Sequence, residues 1–149
     1  MIDTIKIYKG LRASLEGKFP NDTVQIKDIK NITRPSYYLR FVSENRTKTA
    51  PKIEQITNVF EIIYFAEENK LLELLQAKNG LNELSDKKIS VTDGQKTKFA
   101  LISDVESSLN EEEYYLQTTI TIEFAQIIPD DDSDFVKMQK LKMDNEITE

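Results

Sequence analysis

The side chains clustered densely enough to suggest chemistry are carboxylates. Glu67 and Glu68 are adjacent, Glu111, Glu112 and Glu113 are consecutive, and so are Asp130, Asp131 and Asp132. Paired acids can serve a glycosidase or hold a divalent cation when different elements bring them face to face. Here each cluster is contiguous within a turn-like stretch, which reads as a solvated acidic loop. The chain has no histidine and no cysteine, which removes imidazole and thiolate metal ligands, disulfides and the usual general base near neutral pH. GxSxG, P-loop, GxGxxG, HExxH and EF-hand patterns are all missing. Tyr37-Tyr38 and Tyr114-Tyr115 raise the question of base stacking. Adjacent strand residues point to opposite faces, so neither pair makes one platform. The residues therefore predict no catalytic, metal or cofactor site.

The elements that would position these groups are organised around residues 57–69, TNVFEIIYFAEEN. Phe60, Ile62 and Tyr64 alternate there with Val59, Ile63 and Phe65, and Glu61 alone interrupts the run. That composition fits a central strand with something packed on each face. Before it, residues 2–19 read as an amphipathic helix, with Ile2, Ile5, Tyr8, Leu11, Leu15 and Phe19 on one stripe and Asp3 in the first turn. Gly10 weakens that helix by about 1 kcal/mol relative to alanine, and Pro20 stops it. A short strand near a sheet edge is expected at 23–28 and another at 36–44, with Tyr37, Leu39 and Phe41 on one face and Tyr38, Arg40 and Glu44 on the other. The polar stretch 45–51, NRTKTAP, reads as a long hairpin loop carrying Arg46 and Lys48; it is either a contact between subunits or a plain solvated loop.

A second helix is expected over 70–84, capped by Asn69, with Asn79-Gly80 a possible early end. Strands at 87–91, 98–106 and 114–127 follow, the first two separated by an Asp93-Gly94 turn and the last two by the acidic stretch 107–113. In the last strand Leu116, Ile120, Ile122 and Phe124 alternate with Gln117, Thr119, Thr121 and Glu123, so the first set should face a core. This is an α+β pattern: a mainly antiparallel sheet with an N-terminal helix and one central helix packed on it. It occupies residues 1–128 as a single domain. Residues 129–149 form an acidic tail in which Phe135, Met138 and Leu141 recur every three residues beside Val136 and Met143. The tail is either disordered or a docking arm that folds as a short helix on a partner.

The whole chain of 149 residues has a net charge of −6, of which the seven acids and three lysines of residues 129–149 contribute −4. The body is nearly balanced, and neither part is the basic surface that gripping a phosphate backbone requires. No run of about 18 apolar residues suggests a membrane span, and the N-terminus lacks the pattern of a secretory signal.

In their order, four stretches carry a family resemblance: MIDTIKIYKGLRASLEGKFP, RPSYYLRFV, NVFEIIYFAEENKLLELL and YYLQTTITIEF. Together they resemble the small tail-terminator, or tail-completion and head–tail joining, proteins of long-tailed bacteriophages. The resemblance implies a virion protein without enzymatic activity or cofactor, assembled in the host cytoplasm and placed at the head-proximal end of the tail. It implies a homo-oligomeric ring, usually six-fold in that family, that stops tail-tube polymerisation and meets the head connector or neck. DNA would pass through such a ring without being bound, and no membrane is involved. The alternatives are another neck or connector protein, a tail assembly chaperone, or a carboxylate-based enzyme or accessory domain. On the ring reading, Arg46, Lys48, Phe135, Met138, Leu141 and Met143 are candidate subunit or partner contacts. Glu111, Glu112 and Glu113 are candidates for an acidic lumen or an exposed loop.

Overall fold

The computed structural model describes residues 2–19, 24–25, 34–67 and 71–128. The chain runs α1 (Thr4–Lys18), β1 (Val24–Gln25), β2 (Ser36–Ala50), β3 (Ile53–Phe65), α2 (Leu71–Asn82), β4 (Lys88–Asp93), β5 (Lys96–Asn110) and β6 (Tyr115–Ile127). Its strands form one sheet in the order β1-β2-β3-β6-β5-β4. β1 joins β2 in parallel, and every other neighbouring pair is antiparallel. The expected α+β class is therefore the observed one, and β3 lies inside the sheet between β2 and β6.

Both helices pack on the same face. Along β3 the even positions Ile56, Asn58, Phe60, Ile62 and Tyr64 are buried, and opposite them on β6 so are Leu116, Thr118, Ile120, Ile122 and Phe124. Ile7, Leu11 and Leu15 of α1 and Leu74, Ala77 and Leu81 of α2 complete one core cluster with them. The other face of β3 has no covering layer among the described residues, unlike the two-sided packing its composition suggests. Val59 and Ile63 are half-buried there. Glu61, on the same face, is bonded to Arg40 Nε at 3.0 Å and Gln117 Nε2 at 2.8 Å. A buried carboxylate with two donors is stable where a lone one would not be.

Four local outcomes differ from the sequence pattern. Asp3 is the N-cap of α1, accepting from the Lys6 N–H at 2.9 Å, rather than a first-turn residue. Ile5 is 64 % exposed, and Ile7 takes its place on the buried stripe. The 45–51 loop is not a loop: β2 continues to Ala50, β3 begins at Ile53, and only Pro51 and Lys52 form the turn. Cross-strand pairing explains this, since Arg46 lies opposite Ile56 and reaches Glu54 at 2.8 Å and Glu44 at 3.1 Å. Finally, bulges at Val42 and Ser103 reverse the alternation of their strands. Glu44 thereby joins the helix-covered face, as does Val105, while Phe99 and Leu101 are left on the outer one. In α2 the helix runs through Gly80 to Asn82; its expected cap, Asn69, lies outside the described residues.

The N-terminal helix sits against β4 at very close range. A Cβ on Gly10 would lie 2.6 Å from the Ser90 carbonyl oxygen, so only glycine lets the helix and strand backbones approach this far. Lys6 Nζ bonds Asp93 at 2.7 Å, and Lys98 reaches the same carboxylate at 2.9 Å, tying α1 to the β4–β5 hairpin.

Candidate subunit interface

The sheet has two ends of different chemistry. At one end β5 and β6 are joined by residues 111–114, and Glu111, Glu112 and Glu113 are all exposed. The loop is built from Asn110, whose side-chain oxygen accepts the Glu113 N–H at 2.9 Å, and from Tyr114 at φ 53°. Arg34, which sequence reasoning did not single out, anchors it. Its guanidinium donates to the carbonyls of Ala66 at 3.1 Å, Tyr114 at 3.3 Å and Glu113 at 3.4 Å, and lies over the Phe65 ring. An arginine just before a strand that starts beneath an acidic turn was the available signal.

At the opposite end stand the β2–β3 turn, the end of β6 and the start of α1. Arg46 and Lys48 are here, on β2. β1 pairs with β2 only at Ser36 and Tyr37, so among the described residues Arg46 and Lys48 sit on an open strand edge. Charged residues at such an edge oppose uncontrolled pairing. Arg46 is held by Glu44 and Glu54, and Gln126 Nε2 donates to Glu54 at 3.1 Å. Gln126 in turn accepts from the Ile2 backbone N–H at 3.3 Å. Thirteen residues of β3 separate the two ends, roughly 40 Å at the rise of a strand. The fold thus keeps Arg46 and Lys48 apart from the acidic loop. Phe135, Met138, Leu141 and Met143 lie outside the described residues.

A further feature at the Arg46 end had no counterpart in the sequence reading. Pairing of β5 with β6 begins only at Leu101–Glu123. Among the described residues, 96–100 pair with β4 alone and 124–127 with β3 alone. The sheet forks there, leaving a groove of about 630 Å³ lined by Ile2, Lys98, Phe99, Phe124, Gln126 and Ile127. Phe99 and Ile127 are 60 % and 74 % exposed. An apolar residue at an outward strand position, as Phe99 is, was the only sequence trace of it.

Nothing among the described residues gathers carboxylates into a reactive site. No three acids among the described residues converge on a metal-sized space, and the Glu73 carboxylate is taken up locally by the Glu67 backbone N–H at 2.8 Å. No helix among the described residues is long and apolar enough to cross a membrane. The arrangement offers edges, ends and a groove, which suit contacts between proteins.

Compared with known families, residues 6–134 match a family model described as "Phage tail terminator protein". No curated protein matches the chain.

Proposed function

We infer that this chain, which belongs to the phage tail terminator family, closes the head-proximal end of a phage tail tube as a head-to-tail ring of identical subunits. The family is a structural one of the virion, and the match over residues 6–134 is the observation that carries the reading. A terminator works by asymmetry: one surface copies the tube's own subunit contact and the other lacks it, so that no further layer adds. The second surface then meets the head connector or neck. Six-fold symmetry would suit a ring stacked on a six-fold tube.

The two-ended charge of the sheet supports this arrangement. Arg46 and Lys48 lie at one end and Glu111, Glu112 and Glu113 at the other, so the subunit has two unlike ends, one to meet a neighbour in a ring closed by rotation and one to face its lumen. The exposed Glu111–Glu113 loop is suited to face a lumen. Acidic side chains there would repel the phosphate backbone of passing DNA and keep it from sticking. The acidic tail, residues 129–149, serves as an arm toward a neighbouring subunit.

The test is to mix the purified protein with tail-tube protein and image the product by negative stain. Tubes capped at one end by a ring, and no longer elongating, are the expected result. A chain that stays monomeric and never binds tubes at any concentration would overturn the reading.

A further inference from the structure

We propose that the fork between β5 and β6 is the acceptor for the C-terminal segment of a second copy, which enters it as an added strand. The proposal deepens the ring reading and rests on it, since it names the joint that holds neighbouring subunits together.

The fork has what an added strand needs. Among the described residues, 96–100 and 124–127 each have a sheet neighbour on one side only, so both strands turn backbone edges toward the gap. A helix satisfies its own backbone groups; an extended segment satisfies those of the edge as well. Phe99, Phe124, Ile127 and Ile2 line the groove with apolar surface. Architecture keeps the gap open. α1 holds the β4–β5 hairpin through Gly10 and the Lys6–Asp93 pair, while the bulge at Ser103 bends β5 just before the two strands part. Ser103 Oγ bonds the Thr121 carbonyl at 3.3 Å, which fixes the branching point.

The chain itself carries a suitable occupant. Beyond Ile128, whose N–H is bonded to the Lys52 carbonyl at 2.7 Å, lie residues 129–149. Ile128 itself lies beside the β2–β3 turn, on the β3 side of β6 rather than the β5 side. Apolar residues flank a lysine in Val136-Lys137-Met138 and again in Leu141-Lys142-Met143, and because the two triplets differ in parity, the added strand presents the first one, Val136 and Met138, to the groove. The preceding acids, Asp130, Asp131, Asp132 and Asp134, complement the exposed Lys96 and Lys98 on the β5 wall. Each subunit then has one donor and one acceptor, the condition for a closed head-to-tail ring.

Two full-length single-cysteine chains, Phe99→Cys and Met138→Cys, test this on a background without native cysteine. Phe99 is exposed and outside the core, so its replacement leaves the fold intact. Mixed under mild oxidation in the presence of tail tubes, they should give disulfide-linked heterodimers, about tenfold more than Lys48→Cys with Met138→Cys, because docking raises the local thiol concentration. A synthetic peptide of residues 133–145 should suppress the cross-link. Rings without the cross-link would overturn the proposal and leave the terminator reading standing. A chain carrying both cysteines that closes on itself would also overturn it, by showing that the segment fills its own fork. Failure to cap tubes at all counts against the terminator reading instead.

Discussion

Glu61 and Asp93 show how single charged groups are used in this protein. Each sits where a sheet or hairpin needs a fixed partner, and each is held by more than one donor. The Asp93 carboxyl is held well below the usual carboxylate range, by the Lys6 hydrogen bond first and by Lys98 as well. A carboxyl whose folded pKa is depressed stabilises the fold above its unfolded pKa of about 3.9 and loses that contribution as pH falls below it. Asp93→Asn should therefore lower the melting temperature at pH 7, and the gap from the parent should narrow steadily in thermal melts as the pH falls below about 4. Phe60 is the opposite kind of residue, fully buried and in ring contact with Tyr8 and Phe41. Phe60→Ala should cost about 3–5 kcal/mol in denaturant unfolding, the usual loss for a large buried side chain. Arg34 is predicted to act locally: Arg34→Ala should speed amide hydrogen exchange around residues 111–115 while leaving α1 protected, because its three acceptors are carbonyls at that end.

Among the elements, α1 is the one whose sequence and tertiary roles conflict. In isolation Gly10 weakens the helix by about 1 kcal/mol. In place it is what allows α1 to lie against the β4 backbone, 2.6 Å from where a Cβ would stand. Gly10→Ala should therefore destabilise by about 1–3 kcal/mol despite its better helix propensity, since overpacking against backbone has no flexible neighbour to absorb it. It should also displace the β4–β5 hairpin, visible as amide shift changes near Ser90 and Val91. The β2–β3 ribbon is the complementary case. Its sequence, NRTKTAP, is polar and basic, as loops are. Yet Thr47 and Thr49 favour extended backbone, and Arg46 finds Glu54 only when the strands run on to Pro51. A single-chain reading cannot see that partner until the register is known. The bulges at Val42 and Ser103 were hidden for the same reason: one extra residue on a strand has no signature in its own alternation.

At the level of the molecule, the described residues form a one-layer sheet with two helices on one face, which leaves edges and a second face to other contacts. That is a shape suited to assembly, in keeping with a structural protein of phage tails. The described elements by themselves gather their buried residues into one core cluster, so removing residues 129–149 should leave the far-UV circular dichroism and cooperative melt in place while abolishing rings. A truncated chain that does not fold would show instead that the tail completes the core. Much of this was legible in the chain itself. The number and order of elements, the inward residues Leu116, Ile120, Ile122 and Phe124, and the family resemblance all follow from local composition and period, because burying one face imposes period two on strands and three to four on helices. Which face each helix covers, the reach of the β2–β3 ribbon, the role of Gly10, the anchoring by Arg34 and the fork between β5 and β6 came only from the tertiary structure. Each depends on which distant backbone or charge lies opposite, and pairings between residues far apart in the chain leave no period along it.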